Sequence, residues 1–140
     1  MITPEQLAAA GSEHAHQKAL FCWAASLDIR LAYPQLALMF AIPNGGARDK
    51  ITASKLKAEG VKAGVPDIFL PVPMHRYTDS RLNAAGLFIE LKRPKAVGVA
   101  KGSTQENQDD WIDKLREQGY KVVIAYGWLE AKAAILEYLT

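Results

Sequence analysis

Cysteine is almost absent from this chain: Cys22 stands alone among 140 residues. An internal disulfide and a thiolate metal site are therefore excluded, and a reduced, cytoplasmic setting is expected, with Cys22 in the core beside Phe21, Trp23 and Ala24. No apolar run approaches the ~20 residues of a membrane span. The N-terminus lacks the basic-then-apolar order of a signal peptide. There is no internal repeat and no low-complexity tail. Histidines number three, and the pair His14 and His16 cannot clamp zinc together, because residues two apart on a helix diverge by about 200°; both are expected at the surface. Gly45-Gly46 lacks the lysine and spacing of a phosphate-binding loop. Ser103 and Thr104 lack a His–acid partner in recognisable order, so they read as helix caps.

What is present is an ordinary globular profile, with 49% hydrophobic and 23% charged residues, read as one domain over 1–140 with a real core. The net charge of +2 is too small to establish a nucleic-acid partner. Its distribution says more. Arg48, Lys50, Lys55, Lys57 and Lys62 form one group, and Lys92, Arg93, Lys95 and Lys101 another. Two such groups read either as solvated faces or as a phosphate-tracking surface.

Along the chain, Thr3-Pro4-Glu5-Gln6 predicts a capped helix start, with a lapse at Gly11 and a restart capped by Ser12. Glu13, Gln17, Leu20, Ala24 and Leu27 recur at steps of three and four and share a face that is polar at its N-terminal end. Leu36 to Ile42 reads as a strand stopped by the turn Pro43-Asn44-Gly45-Gly46, and Arg48 to Glu59 as a basic helix ended by Gly60. Val65 to Val72 and Gly86 to Leu91 read as strands joined by an irregular hairpin-type loop. A helix from about Thr104 to Gln118, a strand Tyr120 to Tyr126 and a helix Trp128 to Leu139 complete the chain. The order α-β-α-β-β-α-β-α implies an α/β fold with a mixed central sheet covered on both sides.

Two of these strands carry charge where a buried strand should not. Asp67 precedes the continuous hydrophobe Ile68-Phe69-Leu70; in Leu87-Phe88-Ile89-Glu90-Leu91-Lys92, Phe88, Glu90 and Lys92 share one face. Buried charge is costly, so these groups need partners, water or an ion. A structural acid–lysine pair is one reading. The other is metal-dependent phosphodiester cleavage. Asp67 and Glu90 would offer hard oxygens to Mg²⁺ or Mn²⁺, with the Leu91 backbone carbonyl a third ligand and Glu13 binding through water. Lys92 would touch the attacking water or the scissile phosphate, Gln17 would support Glu13 one turn away, and Gln108 would orient Lys92 or hold a phosphate at a helix start. The candidate catalytic set is thus Asp67, Glu90, Lys92, Gln108 and Glu13. Gln17, Asn44, Arg48, Lys50, Lys55, Lys62, Arg93 and Lys95 are candidate contacts to the substrate's phosphate backbone, DNA in the resemblance described next, and the loop residues Arg76, Tyr77 and Arg81 are further ones.

Taken in order, Pro66-Asp67, Glu90-Leu91-Lys92, Gln108-x-x-Trp111-Ile112 and Gly119-Tyr120-Lys121-Val122 resemble the virus-type replication-repair nuclease (VRR-NUC) domain of the PD-(D/E)XK nuclease superfamily. The Glu13-x-x-x-Gln17 helix and the Pro43-Asn44-Gly45-Gly46 turn extend the likeness over nearly the whole chain. The resemblance implies a restriction-endonuclease-like core and divalent-metal-dependent DNA hydrolysis by Asp67, Glu90 and Lys92. It is to the stand-alone phage and bacterial members, which implies a homodimer acting on branched, Holliday-junction-like DNA in DNA repair, in the host cytoplasm where the gene is a phage's. Trp23, Trp128 and Tyr138 are candidates for the dimer surface. The alternative is a catalytically weak or partner-dependent module that binds branched DNA.

Overall fold

The computed structural model describes residues 1–43, 50–75, 83–94 and 106–140. Helix α1 (Pro4–Ala8) opens on a complete capping box: Thr3 accepts from the Gln6 N–H, and Gln6 returns a bond to the Thr3 N–H. Gly11 turns the chain at φ +79°, and Ser12 caps α2 (Glu13–Ala25) through the Ala15 N–H. Helix α2 stops at Ser26, whose hydroxyl donates to the Trp23 carbonyl, and the chain restarts as the short α3 (Leu27–Ala32). Leu27 therefore falls off the inward stripe and is 75% exposed, whereas Leu20 and Ala24 are buried as expected.

The expected strand Leu36–Ile42 is mostly not a strand. Pro34 starts a 3-10 turn (Pro34–Leu38), and only β1 (Phe40–Ala41) pairs, at the sheet edge. Pro34 is suited to a first helical position, and that local preference outweighs the apolar composition. Helix α4 (Lys50–Ala58) lies within the expected basic helix. Strand β2 is shorter than expected, Ile68–Leu70, because the sheet partner β1 is itself short and the loop before Asp67 bends away at Gly64, φ +89°. Beyond it, Met74 and Ala84 form an antiparallel bridge with two backbone hydrogen bonds. Strand β3 (Leu87–Lys92), helix α5 (Glu106–Glu117), strand β4 (Lys121–Tyr126) and helix α6 (Trp128–Leu139) lie where the pattern placed them.

The four strands run in the order β1-β2-β3-β4, antiparallel for the first two pairings and parallel between β3 and β4. Side chains of β3 alternate across this mixed sheet. Leu87, Ile89 and Leu91 enter the larger core with Leu20, Trp23, Trp128, Ala131 and Ile135 of α2 and α6. Phe88 enters the second core with Ile112 of α5 and Val122. Cys22 is only half-buried, its thiol 3.8 Å from the Ile2 carbonyl. Trp23, Trp128 and Tyr138 are at most 6% exposed. These three build the core and offer no dimer surface; burial of large aromatic area accounts for them.

Gly86 marks a close approach. A Cβ there would stand 2.7 Å from Phe69 Cε1 and 3.2 Å from the Leu70 carbonyl. The Phe69 ring has little room to withdraw, since it stacks on Phe88 at 4.2 Å and meets Tyr120 edge-on at 5.8 Å. Gly86→Ala is expected to destabilise the fold by about 1–3 kcal/mol, the usual cost of overpacking, read as a lower urea midpoint; an unchanged midpoint would show that the ring gives way freely.

Candidate active site

The short β2 and the longer β3 set the site. Ile68 pairs with Ile89, so Asp67, one residue earlier, falls opposite Glu90. There the chain leaves the ladder, and the Leu91 N–H donates to the Asp67 carboxylate at 2.9 Å while the Asp67 carbonyl accepts from Ile42 at 2.7 Å. Gly64 lets the preceding loop lie directly on α5, since a Cβ at that residue would meet the Asn107 backbone at 3.0 Å. The loop that carries Asp67 and the helix turn that carries Gln108 are thereby pressed together.

Gln108, in the first turn of α5, joins the other two groups. Its amide donates to Glu90 Oε1 at 3.0 Å, and its carbonyl oxygen accepts from Lys92 Nζ, also at 3.0 Å. Lys92 Nζ stands 3.5 Å from the same Glu90 oxygen. Glu90 is 3% exposed. Among the described residues, its Oε2 is the one buried side-chain oxygen or nitrogen without a hydrogen-bond partner. Burial first, then the Asp67 charge and to a smaller degree Glu13, push the Glu90 carboxyl up to about 7 against the opposing pull of Lys92. Two acids and one ammonium thus meet in a desolvated corner with an acceptor left over, an arrangement that costs stability unless something positive enters it.

Of the sequence candidates, the fold brings together Asp67, Glu90, Lys92 and Gln108. Glu13 is exposed at the start of α2, near enough for its charge to act on Glu90, and Gln17 is half-buried one turn on. Lys55, Lys57, Lys62 and Arg93 are exposed, the last directly after Lys92. Asn44, Arg48, Lys95, Lys101 and Ser103, the loop candidates Arg76, Tyr77 and Arg81, and the side chain of Lys50 lie outside the described residues. His14 is exposed as expected, but His16 is not a surface residue. At 8% exposure it is buried, and its Nδ1 accepts the Trp128 N–H at 3.1 Å. The signal was available, because His16, Leu20 and Trp23 repeat at four and three and form the true inward stripe. Burial lowers the His16 pKa from its ordinary value. Among the described residues, no three of His, Cys, Asp and Glu gather, so the site is a carboxylate pair with backbone and amide oxygens beside it.

A family model, the VRR-NUC domain, matches residues 3–128 of the chain. A solved structure described as a VRR_NUC domain protein superposes with a TM-score of 0.66 at 24% identity, over 91% of this chain and 88% of that one, which establishes the shared fold. No curated protein matches the sequence. The family match spans both acids, the lysine and Gln108, as well as the helix that bears Glu13 and Gln17: the chain belongs to the VRR-NUC family and is a nuclease-type domain.

Proposed function

We propose that this chain is a divalent-metal-dependent endodeoxyribonuclease that hydrolyses phosphodiester bonds, selects branched or Holliday-junction-like DNA, and works as a cytoplasmic homodimer. One observation carries the metal reading: Glu90 is buried beside Asp67 with Oε2 unpartnered among the described residues. A carboxylate pair without a third acid or histidine suits Mg²⁺ or Mn²⁺, hard ions that keep several waters and lean on substrate phosphate oxygens. Asp67, Glu90 and the Leu91 carbonyl would hold the ion, and Glu13 would do so through water. When bound, it supplies an activated water and offsets charge developing on the phosphate. Lys92, held by Gln108, would donate a hydrogen bond to the phosphate or the water. Exposed Lys55, Lys62 and Arg93 are suited to the DNA backbone. Selectivity for branched DNA and the homodimer rest on the likeness of the motifs to stand-alone family members.

Linear, flap and four-way-junction DNA incubated with purified protein and Mn²⁺, Mg²⁺ or EDTA provide the test, with the mass of the protein in solution measured alongside. Cleavage is expected in either ion, none in EDTA, with the junction preferred and a mass of two chains. Cutting in EDTA would sink the metal reading. Salt-sensitive binding with no cleavage in any ion would favour the binding-module alternative.

A further inference from the structure

Helix α6 begins in a way its own sequence cannot complete. Its N-cap is Gly127, at φ +91°, which has no side chain to accept the first free N–H groups of the helix. A side chain there is also disfavoured by the positive φ and fits tightly, since a Cβ would meet Pro94 Cγ at 3.0 Å and touch His16 Nδ1 at 3.5 Å. The missing acceptor arrives from α2, 112 residues away in sequence, as the Nδ1 of His16 on the Trp128 N–H. The adjacent N–H, that of Gly127, donates to the carbonyl of Lys92 at 2.8 Å. Two consecutive amides of one turn therefore bind α2 on one side and the backbone of Lys92 on the other. Pro94, two residues past Lys92, closes the wedge. His16 lies one turn after Glu13, so the same helix that presents Glu13 fixes the strand end that presents Lys92.

We propose that His16 is a positioning residue for cleavage: by capping α6 from α2 it holds the 126–128 turn against the backbone of Lys92 and so fixes where the ammonium stands. The inference rests on the nuclease reading of the Asp67, Glu90 and Lys92 site. As an acceptor at Nδ1, His16 is neutral with its proton on Nε2, the form favoured at the positive end of a helix dipole. His16→Leu keeps the apolar volume and removes the acceptor, leaving a buried N–H unsatisfied. His16→Asn puts a carbonyl oxygen close to the position of Nδ1 and restores it.

Both variants are assayed on the preferred DNA with Mn²⁺ at a temperature well below either unfolding midpoint. For His16→Leu, kcat is expected to fall at least tenfold, toward the ~10²-fold that an ångström of misplacement costs, with KM little changed and the Mn²⁺-induced rise in unfolding midpoint retained. His16→Asn is expected to recover most of kcat. Wild-type kcat in His16→Leu overturns the inference, as do equal losses in both variants or a lost Mn²⁺ shift, which would mark a general structural role. A wild type that cuts no DNA overturns the nuclease reading and the positioning role with it; an active wild type beside an unaffected His16→Leu overturns the positioning role alone.

Discussion

Lys92→Ala is expected to slow DNA cleavage by about 10²–10³-fold, the usual cost of losing one group that stabilises developing charge. Lys92 Nζ is held at 3.0 Å from Gln108 Oε1 and 3.5 Å from Glu90 Oε1, so the ammonium is aimed before any substrate arrives. The substitution has a second effect that has to be separated from the first. Lys92 lowers the Glu90 pKa both by its charge and by a hydrogen bond, against burial and Asp67, which raise it. Without Lys92, a proton competes more strongly for Glu90 near neutral pH, and part of the loss there reflects a weakened metal site. Raising the pH until the rate levels off, well above the wild-type Glu90 value of about 7 because the variant has lost the group that lowered it, returns the carboxylate in the variant. The deficit that persists at that pH is the contribution of Lys92 itself. Full recovery at high pH would remove Lys92 from the chemistry and leave it as the counter-charge of Glu90.

The second large effect is on stability and needs no substrate. Mn²⁺ is expected to raise the unfolding midpoint of the wild type, and hardly that of Glu90→Gln. At a concentration a hundredfold above its dissociation constant, an ion bound only by the folded state adds about 2.7 kcal/mol, or roughly 5–10 °C for a chain of this size. Without the ion, Glu90 costs stability as pH rises. Its folded pKa of about 7 exceeds its ordinary 4.5, so between those values the folded protein binds more protons than the unfolded chain. The stabilising contribution is complete below about pH 4.5 and is lost as pH rises through about 7, on the order of 3 kcal/mol. His16 acts with the opposite sign: burial lowers its pKa, so the unfolded chain takes its proton first and stability grows as pH rises toward 6.5. Glu90→Gln removes only the first contribution. The difference between the melting profiles of wild type and variant across pH 4.5 to 7 isolates Glu90. Equal Mn²⁺ shifts in the two proteins would show that Glu90 does not hold the ion; pH profiles that run parallel would show that its carboxyl is not held above its ordinary range.

Much of this protein is legible from its chain because the signals are local. The capping box of Thr3 and Gln6, the break at Gly11 and the helix Trp128–Leu139 all follow from short-range backbone chemistry. The alternation in Leu87–Lys92 places Glu90 and Lys92 on one face in any strand with a period of two. Family membership is likewise carried by ordered motifs along the chain. Where local signals compete, the reading fails: apolar Leu36–Leu38 looked like strand, but Pro34 starts a tight helical turn.

The sequence by itself determined most of the elements, the charged strand face and the residue types of the site, because these depend on spacing and on near neighbours. Only the tertiary structure decided which oxygens are satisfied and which are not. Gln108 spans Glu90 and Lys92, Gly64 lets the Asp67 loop press on α5, and Glu90 Oε2 is left without a partner among the described residues. His16 turns inward to cap a helix 112 residues downstream for the same reason. A buried polar group must find its partner in three dimensions, and that partner can lie anywhere along the chain.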